Sequence, residues 1–258
     1  MMRFTDHLGN LIQLGSFPTR IVSLVPSQTE LLYDLGLENE VVGITRFCIH
    51  PEVWRRSKCI IGGTKDFDFK AIAALQPDLI IGNKEENYAE GIAILQRHYP
   101  VWMSDIYDIK DATNTIAAIG ELCGRQALAQ NIIQTIAKER AQFKSNIGKT
   151  VAYFIWKKPY MVAASNTFIH AMLQEFGLQN IFGDYERYPE LAIDTPCNMK
   201  PDLVFLSSEP YKFSQRHIPE FKAIFPNAEI VLVDGEMFSW YGSRLQHAFQ
   251  YFKTLDLR

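Results

Sequence analysis

The amino-acid sequence predicts an α/β protein built from two Rossmann-like lobes with parallel-type sheets, joined by a single long rigid helix. The motif Pro-Asp-Leu-Ile-Ile at 77–81 returns as Pro-Asp-Leu-Val-Phe at 201–205. Short apolar runs alternate with amphipathic helical patterns in residues 21–105, which is typical of parallel strands connected by helices. Residues 108–146 are helical with hardly any strand pattern. We therefore expect an amino-terminal lobe at 1–110, a helical segment at 111–148 and a carboxy-terminal lobe at 149–258.

The similarity between the two halves extends beyond the doubled motif. Each copy is preceded by an apolar strand, a polar loop and an apolar helix that ends at a glycine, Gly36 or Gly177. Each copy is followed by a helical pattern, a proline and another strand. Two repeated lobes are the simplest explanation, and a cleft between lobes is a common place for a ligand. We expect residues 83–86 and 207–211, which follow the two copies, to face each other across that cleft.

The elements of the first lobe follow from its apolar runs. Predicted strands are a hairpin at 3–6 and 11–14, then 21–25, 41–44, 60–61, 79–81 and 101–103, and predicted helices are 29–35, 68–75 and 88–97. Ser27–Glu30 has the pattern of a capping box, in which side chains satisfy free amides of the first helical turn. Gly36 should end this helix in a left-handed conformation. Gly62 and Gly63 should form a tight turn.

The middle and the second lobe are predicted in the same way. We expect two helices, 111–123 and about 126–146, and a helix of about twenty residues spans roughly 30 Å. Such a connection predicts limited closure on a ligand. The second lobe has a strand at 151–156, a polar loop at 157–166, a helix at 167–176, an irregular stretch at 183–198 and a last helix at 243–254.

The composition excludes several classes of protein. The 258 residues carry a net charge of −3 with the signs interspersed, so there is no basic stripe for nucleic acid. The amino terminus lacks the apolar region of a secretory signal, and no stretch reaches the ~18 apolar residues of a membrane span, which predicts a cytoplasmic location. Motifs of nucleophile elbows, phosphate loops and dinucleotide turns are missing. We expect binding without catalysis and no intrinsic cofactor or metal.

The cysteines follow no metal-binding or disulfide pattern. Cys48, Cys59, Cys123 and Cys197 lack the close paired spacing of zinc sites. We expect all four to be unpaired.

Candidate site residues are the side chains beyond the carboxyl ends of the predicted strands, where parallel α/β sheets bind ligands. They are aromatic and mixed in charge, which suits a large, flat, partly apolar ligand. The predicted ligand-binding residues are Phe47, His50, Lys84, Glu85, Trp156, Tyr160, Ser165, Glu236, Trp240 and Arg244. Any single aromatic could instead pack under a loop, and 84–87 could be a solvated helix start. His50 and His170 are alternative candidates for a metal ligand.

Five segments carry a family pattern in the same order along the chain. They are Arg20–Leu32, Val42–Thr45, Leu75–Ile81, Thr167–Ile169 and Asn180–Phe182. These motifs resemble the substrate-binding proteins of ABC importers for vitamin B12, iron siderophores and haem, the helical-backbone class III periplasmic-binding-protein family. The resemblance covers about residues 4–255 and is closest to the cobalamin-binding branch. It implies two lobes joined by one rigid helix, with a corrinoid, siderophore or haem in the cleft, and a periplasmic or cell-surface component of an ABC-type importer.

Six positions define how this chain compares with the family pattern. Phe47 and Trp156 keep the aromatic character of the cleft, whereas Thr64 and Asn83 stand where bulky aromatics are expected. Family members also present one glutamate on each lobe to arginines of the membrane permease. At these transporter-docking positions the chain has Lys70 and Asp194, and a lysine would repel a cationic partner.

Two hypotheses therefore stand. The first is a monomeric, non-catalytic binder of a corrinoid, haem or metal chelate, either as an importer component that delivers to an ABC permease or as a relative serving inside the cell. The alternative is a cytosolic metallocofactor-handling enzyme or assembly factor of related two-lobed architecture.

Overall fold

A computed structural model describes residues 1–145, 147–192, 199–255 and 257. The contacts between residues divide the chain into two compact units. The first unit contains Met1–Ile106, Lys110–Ala137 and Tyr241–Gln246, and the second contains Tyr107–Ile109, Lys138–Trp240 and His247–Arg258. The short segment Tyr241–Gln246 thus returns to the first unit although it lies near the carboxyl end of the chain.

The first unit consists of an antiparallel hairpin and a five-stranded parallel sheet. Its strands are β1 (Met2–Thr5), β2 (Leu11–Leu14), β3 (Ile21–Ser23), β4 (Val41–Ile44), β5 (Cys59–Ile60), β6 (Leu79–Asn83) and β7 (Val101–Ser104). Its helices are α1 (Pro26–Asp34), α2 (Glu52–Ser57), α3 (Phe69–Leu75) and α4 (Ala89–Gln96). The hairpin pairs β1 with β2, and the parallel sheet has the order β5-β4-β3-β6-β7. Every residue of β3, β6 and β7 is buried, as expected for parallel strands covered on both faces.

Two consecutive helices follow the first sheet. They are α5 (Ile109–Leu122) and α6 (Gln126–Gln142), close to the predicted 111–123 and 126–146. Gly124 separates them with a φ of 67°, a left-handed conformation that glycine adopts without a Cβ penalty. The helix α6 ends four residues earlier than expected and contributes residues to both units.

The second unit contains a mixed sheet, in which parallel strands are extended at one edge by two antiparallel ones. Its strands are β8 (Thr150–Trp156), β9 (Tyr160–Val162), β10 (Gln179–Asn180), β11 (Glu190–Leu191), β12 (Leu203–Ser207) and β13 (Glu229–Val233). Their order is β11-β9-β8-β12-β13, with β10 also on β8, and β9 and β11 run antiparallel to their neighbours. The predicted polar loop at 157–166 therefore contains a strand, because Tyr160, Met161 and Val162 pair with β8 in the antiparallel direction. One strand, β11, also lies within the stretch predicted as irregular.

The helices of the second unit are short and carry an aromatic core. They are α7 (Phe168–Glu175), a 3-10 turn (Gln215–His217), α8 (Ile218–Ile224), α9 (Glu236–Ser239) and α10 (Leu245–Thr254), of which the last begins in the first unit. Phe176 stacks on Phe252 with ring centroids 3.8 Å apart. Phe154 contacts Phe221 edge to face at 4.8 Å. Such pairs stabilise a core beyond the area that they bury.

The doubled Pro-Asp motif has one structural role in both units. The Asp78 carboxylate accepts hydrogen bonds from Thr19 N at 2.8 Å and Thr19 Oγ1 at 2.9 Å. The Asp202 carboxylate accepts the same two bonds from Thr150, at 2.8 and 2.7 Å. In each unit the aspartate therefore fixes the chain at the start of the neighbouring strand, two residues before β3 and at the first residue of β8. This sets the register, in which Ile21 lies beside Leu79 and Val151 beside Leu203.

The predicted capping box at 27–30 is wrong. The helix α1 begins at Pro26, and its N-cap residue Val25 makes no side-chain cap hydrogen bond. The Gln28 amide instead donates to Ser104 Oγ at 2.6 Å and to Gly82 O at 3.2 Å. Proline is well suited to the first helical turn because its missing N–H is not needed there. The predicted left-handed end of this helix at Gly36 is confirmed, with a φ of 68°.

Two smaller expectations can be compared with the structure. Gly62 and Gly63 form the predicted turn, since Gly63 N donates to Asp66 O and Gly62 has a φ of 98°. Cys48, Cys59 and Cys123 are free thiols, and Cys197 lies outside the described residues. Among the helices of the described chain, we find none that combines the length and the apolar character needed to cross a bilayer.

Candidate functional site

The first unit presents an exposed phenylalanine at the carboxyl end of β4. Phe47 is 52% exposed, and the Arg46 guanidinium lies 5.6 Å from the centre of its ring. Arg46 also pairs with Asp66 in the turn after Gly63. The ring is therefore held beside a cation whose charge is already balanced by a carboxylate.

The loop after β6 is fixed by Asn83. This residue is only 2% exposed, and its side-chain oxygen accepts from Glu85 N at 2.8 Å and Glu86 N at 3.0 Å. Its amide donates to Ser104 Oγ at 2.9 Å. Asn83, which stands where the family has a bulky aromatic, is therefore a buried residue whose side chain organises this loop.

Two predicted site residues of that loop have partners within the first unit. Lys84 Nζ lies 2.6 Å from Asp105 Oδ2 at the end of β7. The backbone carbonyl of Glu85 accepts from Lys65 Nζ at 2.7 Å, and the residue itself is half-buried. Lys84 is exposed, and its ion pair with Asp105 lies at the carboxyl edge of the sheet.

The predicted cation Arg244 forms a bidentate ion pair within the first unit. Arg244 Nε and Nη2 donate to the two Glu30 oxygens of α1 at 2.9 and 2.5 Å. Both side chains are largely buried, at 12% and 17% exposure. Burial raises the pKa of the Glu30 carboxyl, and the bonds from Arg244 act in the opposite direction. Arg244 thus serves to hold the segment Tyr241–Gln246 on α1.

The two histidines suggested as metal ligands do not form a metal centre. His50 is half-buried, and its electrostatic interaction with Glu30 acts to lower the pKa of the Glu30 carboxyl. His170 Nδ1 lies 3.2 Å from Asn180 Nδ2, and burial lowers the pKa of its imidazole. Within the ranges that the structure describes, no three His, Cys, Asp or Glu side chains are grouped so as to hold a metal ion.

The second unit presents an exposed tryptophan at the carboxyl end of β8. Trp156 is 38% exposed, and its ring lies edge to face with Tyr211, with centroids 5.6 Å apart. Tyr211 belongs to the loop after β12, and its hydroxyl oxygen lies 3.2 Å from His217 Nε2. This group of Trp156, Tyr211 and His217 is called the aromatic rim below.

Tyr160 and Ser165 of the second unit have internal partners. The Tyr160 hydroxyl donates to Glu220, which also pairs with Lys157. Burial and the bond to Glu220 raise the pKa of Tyr160 to about 12. The Ser165 hydroxyl donates to the Tyr185 carbonyl. Both side chains stabilise the hairpin region that follows β8.

Trp240 is a buried side chain. It is 6% exposed, and its Nε1 donates to Glu209 Oε1 at 2.9 Å, an oxygen that also accepts from Ser239 Oγ. Burial raises the pKa of Glu209. Trp240 therefore packs under the loop after β12, and Glu236, half-buried at the start of α9, lies four residues before it.

Glu209 and Tyr211 lie within the predicted range 207–211, which follows the second Pro-Asp copy, but neither is among the ten named ligand-binding residues. His217 was not predicted. His217 gave no signal, because its link to Tyr211 depends on a loop whose course has no sequence pattern. Of the predicted docking residues, Lys70 is exposed on α3, and Asp194 lies outside the described residues.

A family model described as "Periplasmic binding protein" matches residues 21–223. The chain belongs to this family. The family resemblance seen in the sequence is thereby confirmed, and so is the α/β fold class.

Relatives and solved structures are similar to this chain over most of its length. The chain is 24% identical to an uncharacterized ABC transporter substrate-binding lipoprotein of Bacillus subtilis, over 72% of this chain but only 63% of the lipoprotein. It is 24% identical to a vitamin B12-binding protein of Vibrio parahaemolyticus, over 73% of this chain and 70% of that protein. The crystal structure of the periplasmic vitamin B12 binding protein of Vibrio cholerae has a TM-score of 0.78 at 22% identity, covering 92% of this chain and 98% of that one. A periplasmic heme-binding protein of Roseiflexus has a TM-score of 0.76 at 18% identity, with coverage of 90% and 95%. These similarities show the fold.

Proposed function

We propose that the protein binds a corrinoid or an iron or other metal chelate, without catalysis, as the solute-binding component of an ABC-type importer. The observation that carries the proposal is the exposure of one aromatic side chain at the carboxyl end of a strand in each unit. These are Phe47 after β4 and Trp156 after β8. Family members compared with this chain are named for vitamin B12, heme and Fe3+-hydroxamate.

The chemistry of these side chains fits such ligands. Exposed aromatic rings offer flat apolar surfaces, and cobalamin and haem present flat macrocycles with polar groups at the edge. Arg46, beside Phe47, and Lys157, next to Trp156 in the chain, are each paired with a carboxylate. The charge of these two cations is therefore balanced locally, which suits a large, partly apolar ligand better than a bare ion.

Placement of the ligand in a cleft between the lobes stays a prediction of the family resemblance. The alternative of a metallocofactor-handling enzyme is not favoured, since the family match is to binding proteins. Its test is an assay for turnover of the bound ligand, in which we expect recovery of unchanged ligand.

Delivery to a permease is the second part of the proposal. Lys70 is exposed in the first turn of α3 and is available to a partner. If the partner surface is cationic, Lys70→Glu should increase binding to permease-containing vesicles, and Lys110→Glu serves as a control for the change in net charge.

The decisive experiment is titration of the purified chain with cyanocobalamin, haemin and a ferric siderophore by calorimetry. Trp156 is the one exposed tryptophan among four, because Trp54, Trp102 and Trp240 are at most 6% exposed. Its fluorescence therefore gives a second reading of binding at this surface. We expect at least one ligand to bind with a micromolar or lower dissociation constant. Failure of all three would contradict the proposed function.

A further inference from the structure

Tyr211 lies in the irregular loop after β12 and packs against the core of the second unit. Its backbone N–H donates to Ile155 O at 3.3 Å. Its ring lies against Trp156 and against Phe213, with centroid distances of 5.6 and 4.8 Å. The hydroxyl group contacts His217, a residue that is only 4% exposed. The imidazole of His217 therefore helps to determine the position of the Tyr211 ring beside Trp156.

The protonation of His217 follows from its partners. Ser214 N lies 3.0 Å from His217 Nδ1, and a backbone N–H can only donate, so Nδ1 must accept. Nε2 lies 3.2 Å from the Tyr211 hydroxyl oxygen and 3.4 Å from Arg216 Nε, another group that can only donate. A neutral imidazole cannot accept at both nitrogens, and the bond from Ser214 N is the shorter of the two, so the proton belongs on Nε2, where it faces the Tyr211 hydroxyl oxygen. The imidazole thus connects the capping box of the 3-10 turn, which Ser214 and His217 form together, to the aromatic rim.

The charges around this imidazole oppose a second proton. Lys157, which follows β8, and Arg216, which belongs to the 3-10 turn, both act against it, while Glu220 on α8 favours it. Burial adds to the two cations, so the pKa of His217 lies below its ordinary value. A second proton on Nδ1 would also displace the bond from Ser214 N.

We propose that His217 is a positioning residue, which holds the Tyr211 ring against Trp156 through its Nε2–H and so shapes the surface that binds the ligand. The effect on affinity rests on the proposed function. The effect on Trp156 does not, because it belongs to the protein without ligand.

Two substitutions test the roles of the two imidazole nitrogens separately. His217→Asn keeps an acceptor near Nδ1 for Ser214 N–H and loses the link to Tyr211. His217→Gln keeps a donor near Nε2 for Tyr211 and loses the capping acceptor. Tyr211→Phe removes the hydroxyl from the other side while leaving the ring.

The first measurement uses the ligand-free protein. Iodide quenching reports on Trp156, since the other three tryptophans are buried. We expect quenching to increase in His217→Asn and in Tyr211→Phe, and to stay near the wild-type value in His217→Gln. Nitrogen NMR should show the proton of His217 on Nε2. A proton on Nδ1, or equal quenching in all variants, would overturn the proposal.

The second measurement uses the ligand that binds in the calorimetric titration. Loss of one hydrogen bond should weaken binding by about threefold to tenfold in His217→Asn. The double variant of His217→Asn and Tyr211→Phe should bind the ligand no more weakly than either single variant, because both substitutions remove the same hydrogen bond. Additive losses, or wild-type affinity in His217→Asn, would refute the role of His217. If no ligand binds to the wild type, the proposed function fails while the quenching result still decides the present inference.

Discussion

The two units use the same Pro-Asp motif in the same way but differ in the residues that end the following strand. In the first unit, β6 ends at Asn83, whose side-chain oxygen accepts two backbone amides of the next loop. In the second, β12 ends at Ser207, whose hydroxyl accepts from Tyr153 and donates to Glu209 O at 2.6 Å. Both residues are buried. The comparison shows that the duplicated motif determines the sheet, whereas each loop is organised by a different polar residue.

A second difference concerns the first helix after the start of each sheet, α1 in the first unit and α7 in the second. The helix α7 is capped by Thr167, whose Oγ1 accepts from His170 N at 3.2 Å. Its counterpart α1 has no side-chain cap and is tied to a distant segment through Glu30 and Arg244. One helix is therefore stabilised locally and the other by a contact across 214 positions of the chain.

The largest effect is expected from breaking the Glu30–Arg244 pair. Arg244→Ala would leave the Glu30 carboxylate buried without its partner, which costs about 3–5 kcal/mol of unfolding free energy. Urea denaturation measures this loss. The control is Arg140→Ala, because the Arg140–Glu175 pair of the second unit has an arginine that is 51% exposed, and such pairs contribute about 0–1 kcal/mol. Equal losses in the two variants would show that the buried pair has no special role.

A smaller effect is expected at the two aspartates of the repeat. Asp78→Ala removes an acceptor of three hydrogen bonds, from Thr19 N, Thr19 Oγ1 and Arg20 N, and should lower the unfolding free energy by about 1–3 kcal/mol. Asp202→Ala should act in the same direction. The exposed Asp184→Ala is the matched control, and a similar loss there would contradict the role of the motif.

The pH dependence of the Asp202 contact has a defined sign. Hydrogen bonds from Thr150 lower the pKa of this carboxyl in the folded protein. Its contribution to stability is therefore complete above the ordinary aspartate pKa of about 3.9 and is lost as the pH falls through the lowered value. The acid limb of the unfolding curve should be less steep in Asp202→Ala than in the wild type.

The smallest of these effects is expected at the cap of α7. Thr167→Ala should cost about 1 kcal/mol, since it leaves an amide of the first turn unsatisfied. Thr167→Ser retains the hydroxyl and should recover most of the loss in thermal denaturation. No recovery would mean that the methyl group, and not the cap, is what the helix requires.

The sheets of both units could be predicted from the sequence, because buried parallel strands leave apolar runs such as 79–81 and 203–205. The antiparallel β9 was missed since Lys157, Lys158 and Pro159 resemble a loop. The candidate site was harder to predict. Phe47 and Trp156 are exposed at the strand ends as expected, but Trp240, Arg244 and Tyr160 have internal partners. The sequence shows that a polar or aromatic side chain stands near a strand end, and only the three-dimensional contacts show whether a partner from a distant segment already binds it.

Trp156 is exposed whereas Trp240 is buried. The central claim is that the exposed aromatic residues at the strand ends bind the ligand. Calorimetric titration of Trp156→Ala, with the ligand that the wild type binds most tightly, tests it directly. Loss of a stacked ring should weaken binding by about 1 kcal/mol or more, which is at least about fivefold in the dissociation constant. Circular dichroism and the thermal midpoint establish that the variant is folded. Wild-type affinity in the folded Trp156→Ala protein would contradict the account.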